Sequence, residues 1–307
     1  ANNTCIYVLY EMQDLSEKKL NGQCSGMSCS MKYNCCQQSS VCPEHKVCKP
    51  RHYAKKPWRR FTCRCPKGYH GNQCKTPITS CQGYATGSQI SGRFKIVDPV
   101  QSSVYEVYCH IESDFAWTLV KSYSFQKRSL EQFKKSLSEN VPTGKSAPTW
   151  NGYRLSKHRM QSIKNVSTFL LFTCDYKKHR AIGKLDHVQI PLGNIANKNN
   201  GSIVDVLELN NDHDIRLGMK HGKIGAHDLG GCQISLRQSL NKSLHIHING
   251  NMPCLSNCSG DKDFFGSFDS SPSNCVKEIH QCVRKDSSTT QHWFGVRIGN
   301  HSMTRNG

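Results

Sequence analysis

The stretch SCQGYATGSQISGRFKIVDPVQSSVYEVYCHIESDFAWTLV, residues 80–120, decides the reading of the fold. Apolar and polar side chains alternate in Phe94-Lys95-Ile96 and again in Val107-Tyr108-Cys109, the period of short half-buried strands. Its two cysteines, Cys81 and Cys109, belong to a set of eighteen in 307 residues. The count is even, so every thiol can be paired, and such density points to disulfides formed in an oxidising compartment. A cytosolic zinc protein is the other way to use so many cysteines. Zinc sites usually bring Cys-x-x-Cys pairs, and the chain has none.

Three more features agree with a secretory route. Six Asn-x-Ser/Thr triplets begin at Asn2, Asn165, Asn200, Asn241, Asn257 and Asn300, and each is a candidate N-glycosylation site on the surface. No run of about 18 apolar residues is present, so no transmembrane segment is expected. The opening Ala1-Asn2-Asn3-Thr4 suits a mature, processed N-terminus. Lys and Arg number 41 against 22 Asp and Glu, a formal net charge of +19. That balance favours anionic partners such as sulfated glycans, acidic proteins or anionic surfaces. Nucleic acid is not expected, because disulfides argue against a nuclear site and the usual nucleic-acid motifs are missing.

Cysteine spacing divides the chain into residues 1–35, 36–75 and 76–307. The first segment holds a short helix expected over Leu15–Leu20, with Cys5, Cys24, Cys29 and Cys35 enough for two bridges; it is too short for a core of its own. In the second segment the order is Cys36, Cys42, Cys48, Cys63, Cys65, Cys74. Its end, Cys63-Arg-Cys65-Pro-Lys-Gly68-Tyr69-His-Gly71-Asn-Gln-Cys74, resembles the second half of an EGF-like module. The glycines suit a tight hairpin that needs positive φ. That resemblance implies the pairs Cys36–Cys48, Cys42–Cys63 and Cys65–Cys74, with Cys35 an alternative to Cys36. The calcium-binding subtype needs acidic residues before the first cysteine; Met31-Lys32-Tyr33-Asn34 lacks them, so no calcium is expected there.

The third segment is similar to the fibrinogen-related domain. Ser80-Cys81-Gln-Gly-Tyr84, Ser91-Gly92-Arg-Phe94, Val107-Tyr108-Cys109 and Trp117-Thr-Leu-Val120 follow in that family's order, which implies a Cys81–Cys109 bridge. Trp150-Asn-Gly-Tyr-Arg-Leu155, Met160-Gln-Ser-Ile163 and Thr168-Phe-Leu-Leu-Phe-Thr-Cys174 resemble its central helix and strand. Departures are clear: Ser113-Asp-Phe-Ala116 stands where the family has three glycines, Cys275 and Cys282 lie only seven apart, and Cys174, Cys232, Cys254 and Cys258 are extra. The family's C-terminal pocket is therefore not assumed. The whole arrangement resembles secreted skeletal organic matrix proteins of corals and sea anemones, which implies a matrix location and no defined activity.

Nine Lys or Arg residues fall between Lys46 and Lys67 with no acid after Glu44 among them. Lys55, Lys56, Trp58, Arg59 and Arg60 form the candidate anionic-glycan site, since convergent cations suit sulfates and an indole can stack on a sugar face; the alternative is a solvated loop that serves solubility. Asp261-Lys-Asp263 resembles the start of the family's calcium loop, and paired carboxylates suit that ion, so calcium is the candidate cofactor. Asp212-His-Asp214 is a second such pair. His245-Ile-His247 places both imidazoles on one strand face; without a third ligand the plainer expectation is an exposed polar face. Lys177-Lys-His-Arg180 reads as a basic turn.

For catalysis the motifs are lacking: no Gly-x-Ser-x-Gly, His-Glu-x-x-His, P-loop or dinucleotide fingerprint. The expectation is no enzyme. The expected fold class is α+β and disulfide-rich: a small β EGF-like module plus a fibrinogen-C-terminal-like domain with a core around Trp117, Leu119, Leu170, Phe172 and Ile246. Bridges are expected among Cys174, Cys232, Cys254, Cys258, Cys275 and Cys282 in an order the sequence leaves open. Two functions follow: a secreted matrix or adhesion protein with lectin-like binding of extracellular glycans or acidic matrix polymers, or a structural matrix component assembling with itself or other proteins.

Overall fold

A computed structural model of the chain describes residues 36, 42–50, 61–85, 89–194, 205–209, 213–218, 221–224, 227–228, 233–239, 242–249, 262–267 and 287–298. These residues are mostly β-sheet with few helices. The helix expected at Leu15–Leu20, with Cys5, Cys24, Cys29 and Cys35, lies outside them, as do Cys232, Cys254, Cys258, Cys275 and Cys282. The chain divides into two compact units, Ala1–Ile78 and Thr79–Gly307.

In the first unit β1 (Val47–Pro50) pairs with β2 (Phe61–Arg64), and β3 (Tyr69–His70) with β4 (Thr76–Pro77), both antiparallel. Three disulfides join Cys36 to Cys48, Cys42 to Cys63 and Cys65 to Cys74, the pairs implied by the resemblance. Among its described residues only Gly68, Cys74 and Ile78 are buried. Among the described residues of this unit, sulfur rather than buried apolar side chains ties the strands together, as in other modules too small to bury enough surface. Gly68 and Gly71 take positive φ, and the Ile78 amide closes the last turn on the Gly68 carbonyl at 2.7 Å.

The second unit is built on two antiparallel sheets. Its strands are β5 (Ile90–Asp98), β6 (Ser103–Ile111), β7 (Phe115–Ser124), β8 (Gly152–Arg154), β9 (Phe169–Cys174), β10 (His187–Pro191), β11 (His213–Gly218), β12 (His221–Ile224), β13 (His227–Asp228), β14 (Gln233–Ser239), β15 (Lys242–Asn249), β16 (Lys262–Phe265) and β17 (Thr289–Arg297). Helices α1 (Glu131–Lys134), α2 (Lys157–Asn165) and α3 (Tyr176–His179) lie between them. The larger sheet has the order β13-β12-β10-β9-β17-β7-β6-β5, with β8 on β7; the smaller is β11-β14-β15-β16. A Cys81–Cys109 disulfide ties the segment before β5 to β6. Cys174 is also disulfide-bonded, to a partner outside the described residues.

The alternating strands expected at Phe94–Ile96 and Val107–Cys109 fall within β5 and β6. Trp117, Leu119, Leu170, Phe172 and Ile246 are each at most 1% exposed and lie in the core. β7, β9 and β17 are buried almost throughout, because both faces of the sheet centre are covered. Gly295 on β17 is one place where no side chain fits: a Cβ there would sit 2.1 Å from the buried Trp117 indole.

On one face of the sheet a row of polar groups crosses β8, β7 and β17: Arg154 is opposite Lys121, and Lys121 is opposite His292. All three are buried. The Arg154 guanidinium donates to the carbonyls of Gln132, Lys135, Ser136 and Glu139 at 2.5–2.9 Å, capping the C-terminal end of α1. Lys121 donates to the Phe133 carbonyl at 3.0 Å and to Ser243 Oγ at 2.5 Å on β15. His292 Nε2 donates to the Gly266 carbonyl at 2.9 Å. Burial first, and Lys121 beside it second, push the His292 imidazole down to about 3.

Three outcomes follow from this packing. Gly295→Ala is expected to cost about 1–3 kcal/mol by overpacking against Trp117, read as a lower urea midpoint. Gly183→Ala, where a Cβ meets nothing within 4 Å, should change stability by less than about 0.5 kcal/mol. His292 titrates near 6.5 when unfolded and about 3 when folded, so the unfolded chain binds the extra proton. Its contribution is intact above the unfolded value and is lost as pH falls from 6.5 toward 3, with a slope up to about 1.4 kcal/mol per pH unit. Urea titrations across that window should show His292→Gln with a shallower pH slope than the parent; an unchanged slope would refute the assignment.

Candidate ligand pocket

β5 and β6 pair so that Ser91 stands opposite His110, and the strand period puts Tyr108, His110 and Glu112 on one face of the β6 segment. His110 Nε2 donates to Glu112 Oε1 at 2.8 Å. A carboxylate only accepts, so this bond fixes the proton on Nε2 and leaves Nδ1 as an acceptor. Two hydroxyls lie within reach of that one lone pair, Ser91 Oγ at 2.8 Å and Tyr176 OH at 2.6 Å, and Tyr176 OH also lies 3.5 Å from Ser91 Oγ. Burial pushes the Tyr176 phenol well above its usual range, so it stays protonated. Tyr176 is fully buried, whereas Ser91 is exposed.

Ser91 opens into a cavity of about 250 Å³ that Gly92, Arg93, Tyr108, Thr149, Trp150 and Arg180 also line. Its wall is aromatic. Tyr108 meets Trp150 edge-on with ring centroids 4.8 Å apart, and Trp150 lies 5.3 Å from Tyr176. Tyr176 in turn packs on Trp293 at 4.8 Å. Ser122 Oγ donates to the Trp150 carbonyl at 2.6 Å and fixes the loop before β8. Two cations stand at the rim. Arg93 donates to the Pro148 carbonyl at 3.2 Å and lies 3.6 Å from Glu106. Arg180 ends α3 with φ of 50°, and it is exposed together with Lys177 and His179. A pocket with a ring wall, hydroxyls and two guanidinium groups suits a small polar anion or one ring of an anionic sugar.

A second cavity of about 350 Å³ lies in the first unit beside Glu44, Lys46, Pro66 and Tyr69. Its charges are mixed in sign, and no buried polar group points to a ligand there.

Lys55, Lys56, Trp58, Arg59 and Arg60, the expected glycan site, lie outside the described residues. So do Asp261, Asp212 and the triplets at Asn2, Asn200, Asn241, Asn257 and Asn300. Asn165 is exposed at the end of α2, its amide oxygen accepting from Gln161 at 2.8 Å. Asp263 lies on β16 opposite Ile248. Among the described residues no three His, Cys, Asp or Glu side chains gather as a metal site. The exposed face expected for His245 and His247 is corrected: both are buried, at 2% and 3% exposure. β15 runs between β14 and β16 and its Ser243 meets Lys121 of the larger sheet, so its polar face is covered. Lys177–Arg180 belongs to one helical turn and its left-handed end.

Sequence reasoning missed Ser91, His110, Glu112, Tyr176, Arg93 and Arg180. The His110-x-Glu112 alternation was the only local signal, and it resembles any polar strand face. Comparison with known proteins finds no matching family model, no matching curated protein and no matching solved structure.

Proposed function

We propose that the chain is a secreted matrix or adhesion protein that binds anionic glycans, built from an EGF-like module and a diverged fibrinogen-related domain. The observation that carries this reading is the pocket with Trp150 and Tyr108 at its wall and Arg93 and Arg180 at its rim, on a chain of net charge +19. Sugars offer apolar ring faces to aromatic side chains, and their sulfates or carboxylates pair with guanidinium. The paired cysteines and the Asn-x-Ser/Thr triplets support an extracellular location. No helix among the described residues is long and apolar enough to cross a membrane. The basic run around Lys55, Lys56, Arg59 and Arg60 supplies a second anionic contact, and acidic matrix polymers are partners of the same chemistry.

A heparin column and an array of neutral and sulfated glycans, run with calcium and with chelator, test it. Retention should fall with salt, because exposed charges are screened over about 8 Å at physiological ionic strength. Arg93→Gln and Arg180→Gln should each weaken binding about tenfold, the equivalent of about 1.4 kcal/mol. The combined neutralisation of Lys55, Lys56, Arg59 and Arg60 should flatten the salt dependence. Binding that ignores sulfation and both sets of substitutions would overturn the reading. Concentration-dependent oligomers indifferent to sugars would then favour the structural matrix role.

A further inference from the structure

We propose that Ser91 is a nucleophile and that the pocket carries an acyl-transfer site in which His110 is the base and Glu112 positions it. The substrate class is an acyl ester, and the Arg93 and Arg180 rim selects one borne on an anionic carrier. That last preference rests on the glycan reading; the reactivity of the serine does not.

The case stands on three geometric facts. A nucleophile–base–orienter chain is complete: Ser91 Oγ to His110 Nδ1 at 2.8 Å and His110 Nε2 to Glu112 Oε1 at 2.8 Å. Such constellations are recognised by geometry and roles, independent of fold or residue order. Glu112 selects the tautomer with an unprotonated Nδ1, the form that can take the serine proton. Finally, only one of the two hydroxyls on Nδ1 can meet a ligand, since Tyr176 is sealed in the core and Ser91 faces the cavity. Tyr176 competes for the same lone pair, and when Ser91 donates to Nδ1 the phenol turns its proton to Ser91 Oγ, 3.5 Å away. Elsewhere, Lys121 and Ser243 make a closer amine–hydroxyl pair, but both are buried, and no described cavity reaches them.

The reaction balances with water as the single co-reactant. Ser91 Oγ attacks the ester carbonyl carbon while its proton passes to His110 Nδ1, and the carbonyl π pair moves onto oxygen. Arg93 and Arg180, lining the same cavity, supply positive charge to that oxyanion. Collapse breaks the bond to the alkoxy oxygen, which leaves with the proton from Nδ1 and gives acyl-Ser91 and an alcohol. Water then attacks the acyl carbon and gives its proton to Nδ1. The C–Oγ bond breaks, Oγ recovers the proton, and a carboxylic acid departs. Glu112 holds the Nε2 proton throughout and balances the imidazolium charge.

The full-length protein is treated with a fluorophosphonate probe and mapped by mass spectrometry, alongside hydrolysis of p-nitrophenyl acetate. A phosphonyl adduct on Ser91, and ester hydrolysis abolished in Ser91→Ala, are expected. Glu112→Gln should slow labelling about 10- to 100-fold, and Glu112→Asp, which keeps a carboxylate, should restore most of the rate. A Glu112 that served only packing would show no such rescue by the carboxylate. Absence of an adduct on Ser91 in protein that still binds the sulfated column overturns the nucleophile and leaves the glycan reading standing. An adduct on Ser91 in protein that ignores the column supports the nucleophile and removes the glycan reading. Labelling elsewhere that persists in Ser91→Ala overturns the proposal.

Discussion

The larger sheet depends on β17 being hydrogen-bonded along both edges. It pairs with β7 from Thr289↔Ser124 to Arg297↔Phe115, and with β9 from Thr290↔Cys174 to Gly295↔Phe169. The chain supplies β5, β6 and β7 as one meander, and β9 and β10 as neighbours, long before β17. Only β17 joins these two blocks in the sheet order. Its side chains fit the position. Gln291 accepts from Thr173 Oγ1 at 3.0 Å and the Tyr176 amide at 3.1 Å, and donates to Thr289 Oγ1 at 2.9 Å. Gly295 leaves room for Trp117. Closing such pairings over more than a hundred residues is entropically slow, so β17 should be a late step of folding.

Two cations of the core, Arg154 and Lys121, bond to carbonyls and a hydroxyl. Among the described residues Arg154 and Lys121 are hydrogen-bonded to backbone carbonyls and one serine, with the Glu139 carboxylate acting on Arg154 only through space. Desolvation pushes the Lys121 ammonium well below its usual range and Arg154 down to about 10. Each bond also joins elements: Arg154 holds α1 against β8, and Lys121 links β7, α1 and β15. An apolar core could pack as densely, but it would not fix which carbonyls those elements present. Asp98 plays a similar part near the surface. Burial opposes its charge, yet bonds from the Gln101 and Val100 amides, His158 and Arg159 hold its carboxyl below the usual value and tie α2 to the β5–β6 turn.

What the sequence reveals and what it conceals divide along range. Alternation in Phe94–Ile96 and Val107–Cys109 is a local signal, and both stretches form strands. Trp117, Leu119, Leu170 and Phe172 lie in apolar runs, which place them in the core whatever the topology. His245 and His247 fail as an exposed face because their burial is decided by β16 and by Lys121, over a hundred residues away. The pocket fails for the same reason. Ser91, His110 and Tyr176 come from three elements, and a polar residue on a strand carries no mark of what the neighbouring strand sets opposite it.

The pocket and the sheet centre are one structure. Gln291 holds the Tyr176 amide, and Tyr176 holds His110, which faces Ser91. The same amide side chain reaches Ser122 Oγ at 3.4 Å, and Ser122 bonds the carbonyl of Trp150. So the polar relay and the aromatic wall of the pocket both trace back to a single residue of the joining strand. Groups placed on strands and locked by packing keep their geometry better than groups on free loops. The exposed Ser91 and Arg93 are therefore presented by a strand whose partners lead to the centre of the sheet, while Arg180 stands at the exposed end of α3. That coupling gives a pocket on the β5–β6 side of the domain the rigidity of its core.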